Sequence, residues 1–73
     1  MMDDIINMED MAFVYEVTDA LEIDREAIRV DLTKEDPGSV GRGYGGTFEI
    51  VLPLTPPLSA WRPILKAGLE RLI

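Results

Sequence analysis

Residues 41–46 read GRGYGG, a G-x-G-x-x-G spacing shared with the phosphate-cradling loops of dinucleotide-binding domains and kinases. A dinucleotide loop holds pyrophosphate because it leaves a strand and opens into a helix whose first N–H groups and dipole face the anion. Here Gly46 is followed by TFEIVLPL, in which Phe48, Ile50, Leu52 and Leu54 fall at the two-residue period of a strand. The Lys and Ser or Thr of a P-loop are absent. A kinase-type loop depends on a strand lysine and Mg²⁺-binding acids spread over a far longer chain than these 73 residues. The glycines are therefore expected to serve turn geometry, with no nucleotide or other cofactor. Arg42 and Tyr44, at the tip of that loop, are read as contacts for a protein partner.

The remaining chemistry-bearing residues narrow the field further. The chain has no Cys and no His, which removes disulfides, thiolate nucleophiles, the usual zinc sites and the commonest general base. Asp3, Asp4, Glu9 and Asp10 form one acidic cluster and Asp31, Glu35 and Asp36 another. The second departs from the calcium-loop spacing because Thr33 and Glu35 stand where that pattern alternates Asp and Asn. Both are read as solvated surface, so no metal is expected. A domain of this size is not expected to form the cleft that a carboxylate pair needs to hydrolyse a sugar. Ser39 in DPGSVG lacks the D-S-L context and following helix of a phosphopantetheine site. The chain is read as non-catalytic.

Fourteen acids against seven bases give a net charge of −7, unevenly spread. Residues 1–26 hold nine acids against Arg25 alone, whereas residues 62–73 set Arg62, Lys66 and Arg71 against Glu70. This balance argues against nucleic acid or an anionic membrane as partner and favours a basic protein surface. The opening MMDDIINMEDM has neither a basic segment nor a continuous apolar run, and no later stretch approaches the length of a membrane span, so a cytoplasmic protein is expected.

The elements that must position these residues follow from periodicity. Met8, Met11, Ala12, Val14, Tyr15, Val17 and Leu21 recur at spacings of three and four, predicting an amphipathic helix capped by Asn7, with a short turn at Asp24–Ala27. IRVDLT alternates, with Ile28, Val30 and Leu32 on one face, predicting a strand. The strand over TFEIVLPL is expected at a sheet edge because of Pro53. Trp61, Ile64, Leu65, Gly68, Leu69 and Leu72 make one stripe of a closing helix that starts near Ser59–Arg62, keeping Pro63 in its first turn. The expected fold is α+β, one domain over residues 1–73 ordered helix-strand-strand-helix. A two-stranded antiparallel hairpin packs against two amphipathic helices, residues 34–46 form a flexible Gly-rich hairpin loop, and residues 1–7 are disordered. Two strands offer little area to cover the closing helix, so Trp61, Leu65, Leu69 and Leu72 join Arg42 and Tyr44 as expected partner contacts, or as contacts between copies in a homo-oligomer.

From Val30 to Ile73 the pieces VDLT, DPGSVG, FEIVLPL and LSAWRPILKAGLERLI form a strand, a P-G-x-x-G turn, an apolar stretch and a closing amphipathic helix. In this the chain resembles the small effector-associated constant component proteins of bacterial conflict systems. The resemblance implies a non-catalytic component working beside an effector enzyme, and it carries over no catalytic residue. The function expected is an adaptor acting by protein contact. The alternative is an acidic inhibitor, with residues 1–26 occupying a basic or nucleic-acid-binding site on its target.

Overall fold

The computed structural model describes residues 5–73. Helix α1 (Met8–Ala20) begins at a capping box: the Asn7 side chain accepts from the Asp10 N–H at 2.9 Å, and the Asp10 carboxylate accepts from the Asn7 N–H at 2.9 Å. It ends with Glu22 in the left-handed region (φ 60°). The Ile23 N–H donates to the Thr18 carbonyl and the Glu22 N–H to the Asp19 carbonyl, so carbonyls of the last turn are satisfied. A single 3₁₀ turn, Arg25–Ala27, capped by Asp24, leads into β1 (Ile28–Val30). Strand β2 is Ser39–Arg42, β3 is Phe48–Val51, and α2 (Leu58–Leu72) closes the described chain.

The fold is α+β, but its sheet has three strands in the order β1-β3-β2. The strands expected to form a hairpin, β1 and β3, instead run parallel, with Ile28 opposite Phe48 and Val30 opposite Ile50. The hairpin partner of β3 is β2, paired antiparallel with Val40 opposite Ile50 and Gly41 opposite Glu49. Strand β2 lies inside residues 34–46, the stretch expected to be a flexible loop. Parallel strands need a crossover of a dozen or more residues, and residues 31–47 supply it, carrying β2 on the way. This places β3 at the centre of the sheet; Pro53 falls beyond its end. Of the segment expected to be disordered, Ile5 forms an isolated bridge to Thr33, the Ile6 N–H donates to the Leu32 carbonyl at 3.0 Å, and Asn7 caps α1. Residues 1–4 of that segment lie outside the described residues.

Helix α2 starts one residue before the expected range, at Leu58, because Pro57 already has the extended backbone of an N-cap (φ −65°, ψ 149°). Pro63 therefore sits in the second turn, where it withholds one backbone donor at a solvent-exposed position.

Both helices cover one face of the sheet, and the core is Val14, Val17, Phe48, Ile50, Leu52, Trp61, Leu65 and Leu69. The opposite face carries Arg29 and Glu49, paired side by side across β1 and β3 and exposed. The crossover is pinned at three points. Lys34 reaches Asp10 at 3.1 Å, both side chains largely shielded from solvent. Asp36 accepts from the Leu54 N–H at 2.7 Å and from the Thr55 N–H at 2.9 Å and hydroxyl at 2.5 Å. Gly38, at φ +80°, lies directly against the Trp61 ring and the Val51 carbonyl.

Candidate functional site

The six residues expected to meet a partner divide sharply. Trp61, Leu65 and Leu69 are no more than 2% exposed and belong to the core, and Leu72 is half-buried against it. The stripe expected to need an outside partner is covered from within, because β2 adds the area a two-stranded sheet lacks. Val40 packs so closely under Gly68 that a Cβ there would approach the Val40 side chain to 3.0 Å. Ile64 is exposed, beside a shallow surface it shares with Ser39 and Val40 of β2. Arg42 is tied down: its guanidinium donates to the Leu72 carbonyl and lies 5.4 Å from the centre of the Phe48 ring. Of the six, Tyr44 alone is presented fully, 97% exposed at the tip of the β2–β3 hairpin.

The glycine motif is the end of β2 and the turn of that hairpin. Gly41 pairs with Glu49, the Gly43 N–H donates to the Thr47 carbonyl at 2.9 Å, and Gly45 and Gly46 take positive φ (69° and 80°) in the 3₁₀ turn Tyr44–Gly46. The turn delivers the chain into β3, and no helix N-terminus faces it.

The acidic clusters are distributed rather than gathered. Asp10 is engaged by Lys34 and the Asn7 N–H, and Asp36 by Leu54 and Thr55. The hydrogen bonds from Thr55 hold the Asp36 carboxyl below its ordinary pKa. Asp3 and Asp4 lie outside the described residues. Among the described residues no three acids are grouped to hold a metal ion, and no helix is long and apolar enough to cross a membrane.

A further concave surface lies elsewhere, along the side of α1 opposite Val17. It is an open groove of about 780 Å³ whose apolar lining is Ile6, Met8, Met11, Ala12 and Tyr15. Met8 is 88% exposed. The groove ends at a fixed polar cluster: Arg25 bonds Asp19 at 2.7 Å while its guanidinium lies 4.5 Å from the centre of the Tyr15 ring, a cation–π contact that holds that ring in place. The bond from Arg25 lowers the pKa of Asp19, and Asp19 in turn raises that of Arg25. Glu16, on the rim, is paired with Arg62 of α2.

Reading α1 as carrying a single stripe concealed this surface. Met8 and Val17 are nine residues apart, which at about 100° per residue sets them on opposite sides of the helix. Val14 and Val17 are buried, whereas Met8, Met11, Ala12 and Tyr15, at i, i+3, i+4 and i+7, form a second apolar face. The angular spread of the seven apolar positions is the signal that could have revealed it. Compared with protein-family profiles, with characterised proteins and with solved structures, the chain matches none.

Proposed function

We propose that this chain is a non-catalytic protein-interaction domain whose contact surface is the outer face of α1. One observation carries the reading: α1 has two apolar faces, and among the described residues the buried core takes in the one bearing Val14 and Val17 and leaves out Met8, Met11, Ala12 and Tyr15. A partly exposed face, with Met8 and Ala12 exposed and Met11 and Tyr15 half-buried beside them, is what an interface presents before its partner arrives. The methionines can repack against more than one shape, and Tyr15 is already fixed by Arg25, so little ordering cost remains at that end. As a component working beside an effector, in keeping with the resemblance over Val30–Ile73, the chain would use α2 and the sheet as scaffold and α1 as contact. The alternative, an acidic inhibitor mimicking nucleic acid, fits less well. Asp10, Glu16 and Asp19 are each neutralised by a cation of this chain, and the centre of the face is apolar.

A photoreactive amino acid at position 12 tests this in the host cell, with the same group at position 70 on the exposed side of α2 as control. Crosslinked adducts from position 12 and none from position 70 are expected. Adducts from position 70 alone would place the contact surface elsewhere.

A further inference from the structure

Resting on the reading of α1 as the contact face, we infer the chemistry of the occupant: a basic amphipathic helix of a partner protein. Its apolar side seats over Ala12 between Met8 and Tyr15, and its Lys or Arg side chains face the acids around the groove.

The length and floor of the groove set the first half of this. Thirteen residues make α1 about 20 Å long, so the complementary segment is a helix of about four turns. Ala12 sits midway between the larger Met8 and Tyr15 and leaves room for a bulky apolar side chain to enter between them. Apolar side chains spaced at i, i+3, i+4 and i+7 on a docking helix are the usual complement to such a groove.

Charge sets the second half. The two cations close to the groove are already committed, Arg25 to Asp19 and Arg62 to Glu16. Among the described residues Glu9, next to Met8 in sequence, and Glu22, Asp24 and Glu26, in the turn after α1, take part in no ion pair, and none of the four lines the groove itself. The apolar floor thus lies in a negative setting, since residues 1–26 hold nine acids against Arg25 alone. A second copy of this chain would bring the same acids to the same places and be repelled, as would a phosphate backbone or an anionic lipid surface. A basic helix gains from this surrounding negative charge, with faster association as well as added affinity.

The test uses three synthetic peptides of about 18 residues: a helical Leu/Lys peptide with its leucines on one face, a Leu/Glu counterpart, and a Leu/Lys scramble of no periodicity. Each is titrated by fluorescence anisotropy into the full chain and its Ala12→Arg and Glu70→Gln variants, at about 50 mM and about 500 mM salt. Circular dichroism verifies that each variant is folded, which the exposure of both positions favours. Binding of the periodic Leu/Lys peptide is expected, weakened at least tenfold by Ala12→Arg, several-fold by high salt, and less than twofold by Glu70→Gln. Equal binding of the scramble, or indifference to Ala12→Arg, would overturn the inference by reducing it to bulk charge attraction. Preference for the Leu/Glu peptide with loss on Ala12→Arg would overturn the basic partner while leaving the groove an interface. Failure of every peptide to bind would overturn both.

Discussion

Replacing Gly38 with Ala tests how tightly the glycine-containing crossover is built into the core. Gly38 has φ +80°, a conformation that costs an L-residue about 1–2 kcal/mol. Its new Cβ would also lie 2.9 Å from both Trp61 Cζ2 and the Val51 carbonyl oxygen, closer than real Cβ contacts. Neither neighbour gives way easily, since Trp61 is 2% exposed and the carbonyl is backbone at the end of the central strand. Overpacking of this kind costs about 1–3 kcal/mol, so the total is about 2–5 kcal/mol. Domains of this length have about 4–11 kcal/mol of stability, which makes the loss a large share of the whole. Two other glycines separate the causes. Gly45→Ala meets open space but keeps a positive φ, so only the conformational cost of about 1–2 kcal/mol applies. Gly41→Ala has neither handicap and should be within about 0.5 kcal/mol of the parent or slightly more stable. Urea unfolding followed by fluorescence of Trp61, the single tryptophan, reads all three. If Gly38→Ala cost no more than Gly41→Ala, the packing of the crossover against Trp61 would be refuted.

Leu69→Ala removes a fully buried side chain and should destabilise by about 2–5 kcal/mol, and Leu69→Glu should leave the chain unfolded by circular dichroism; a folded Leu69→Glu would mean the stripe is not core. Because the pKa of Asp36 is lowered on folding, its stabilisation is complete above the ordinary value of 3.8 and is lost as pH falls through the lower folded value. The stability gap between the parent and Asp36→Asn, from urea unfolding at a series of pH values, should be constant near neutrality and close in acid; a gap that widens in acid would contradict the Thr55 contact. Calorimetric titration with ATP, GTP and NAD should give no binding heat, and a Kd below about 100 µM, or about 5.5 kcal/mol, would restore the glycine loop as a nucleotide site.

The two helices were legible because each carries repeated apolar spacing, and the start of α1 was marked by Asn7, whereas that of α2 fell one residue before the range that Pro63 suggested. Strands β1 and β3 were legible from alternation. Strand β2 was not, because in SVGR only Val40 is apolar, and its neighbours in sequence are turn residues. Its pairing is fixed from outside, by β3 on one side and by the Gly68 surface of α2 beneath Val40, and neither can be read locally. Missing β2 had two consequences. The parallel pairing of β1 with β3 looked like a hairpin, and the stripe of Trp61, Leu65 and Leu69 looked uncovered. The groove was hidden for a different reason: the seven apolar positions of α1 were read as one amphipathic pattern, although of these only Val14 and Val17 are buried.

The placement of the interface on α1 rather than α2 is tested most directly by quantitative capture from host extract with three baits: the parent chain, Ala12→Arg and Ile64→Arg. Both substitutions fall on exposed positions, one in the groove and the other on α2 beside β2. Proteins enriched by the parent should be lost from Ala12→Arg, at least about tenfold for a charge placed at the centre of an apolar contact, and retained by Ile64→Arg. Retention by Ala12→Arg with loss from Ile64→Arg would contradict the assignment and move the contact surface to α2.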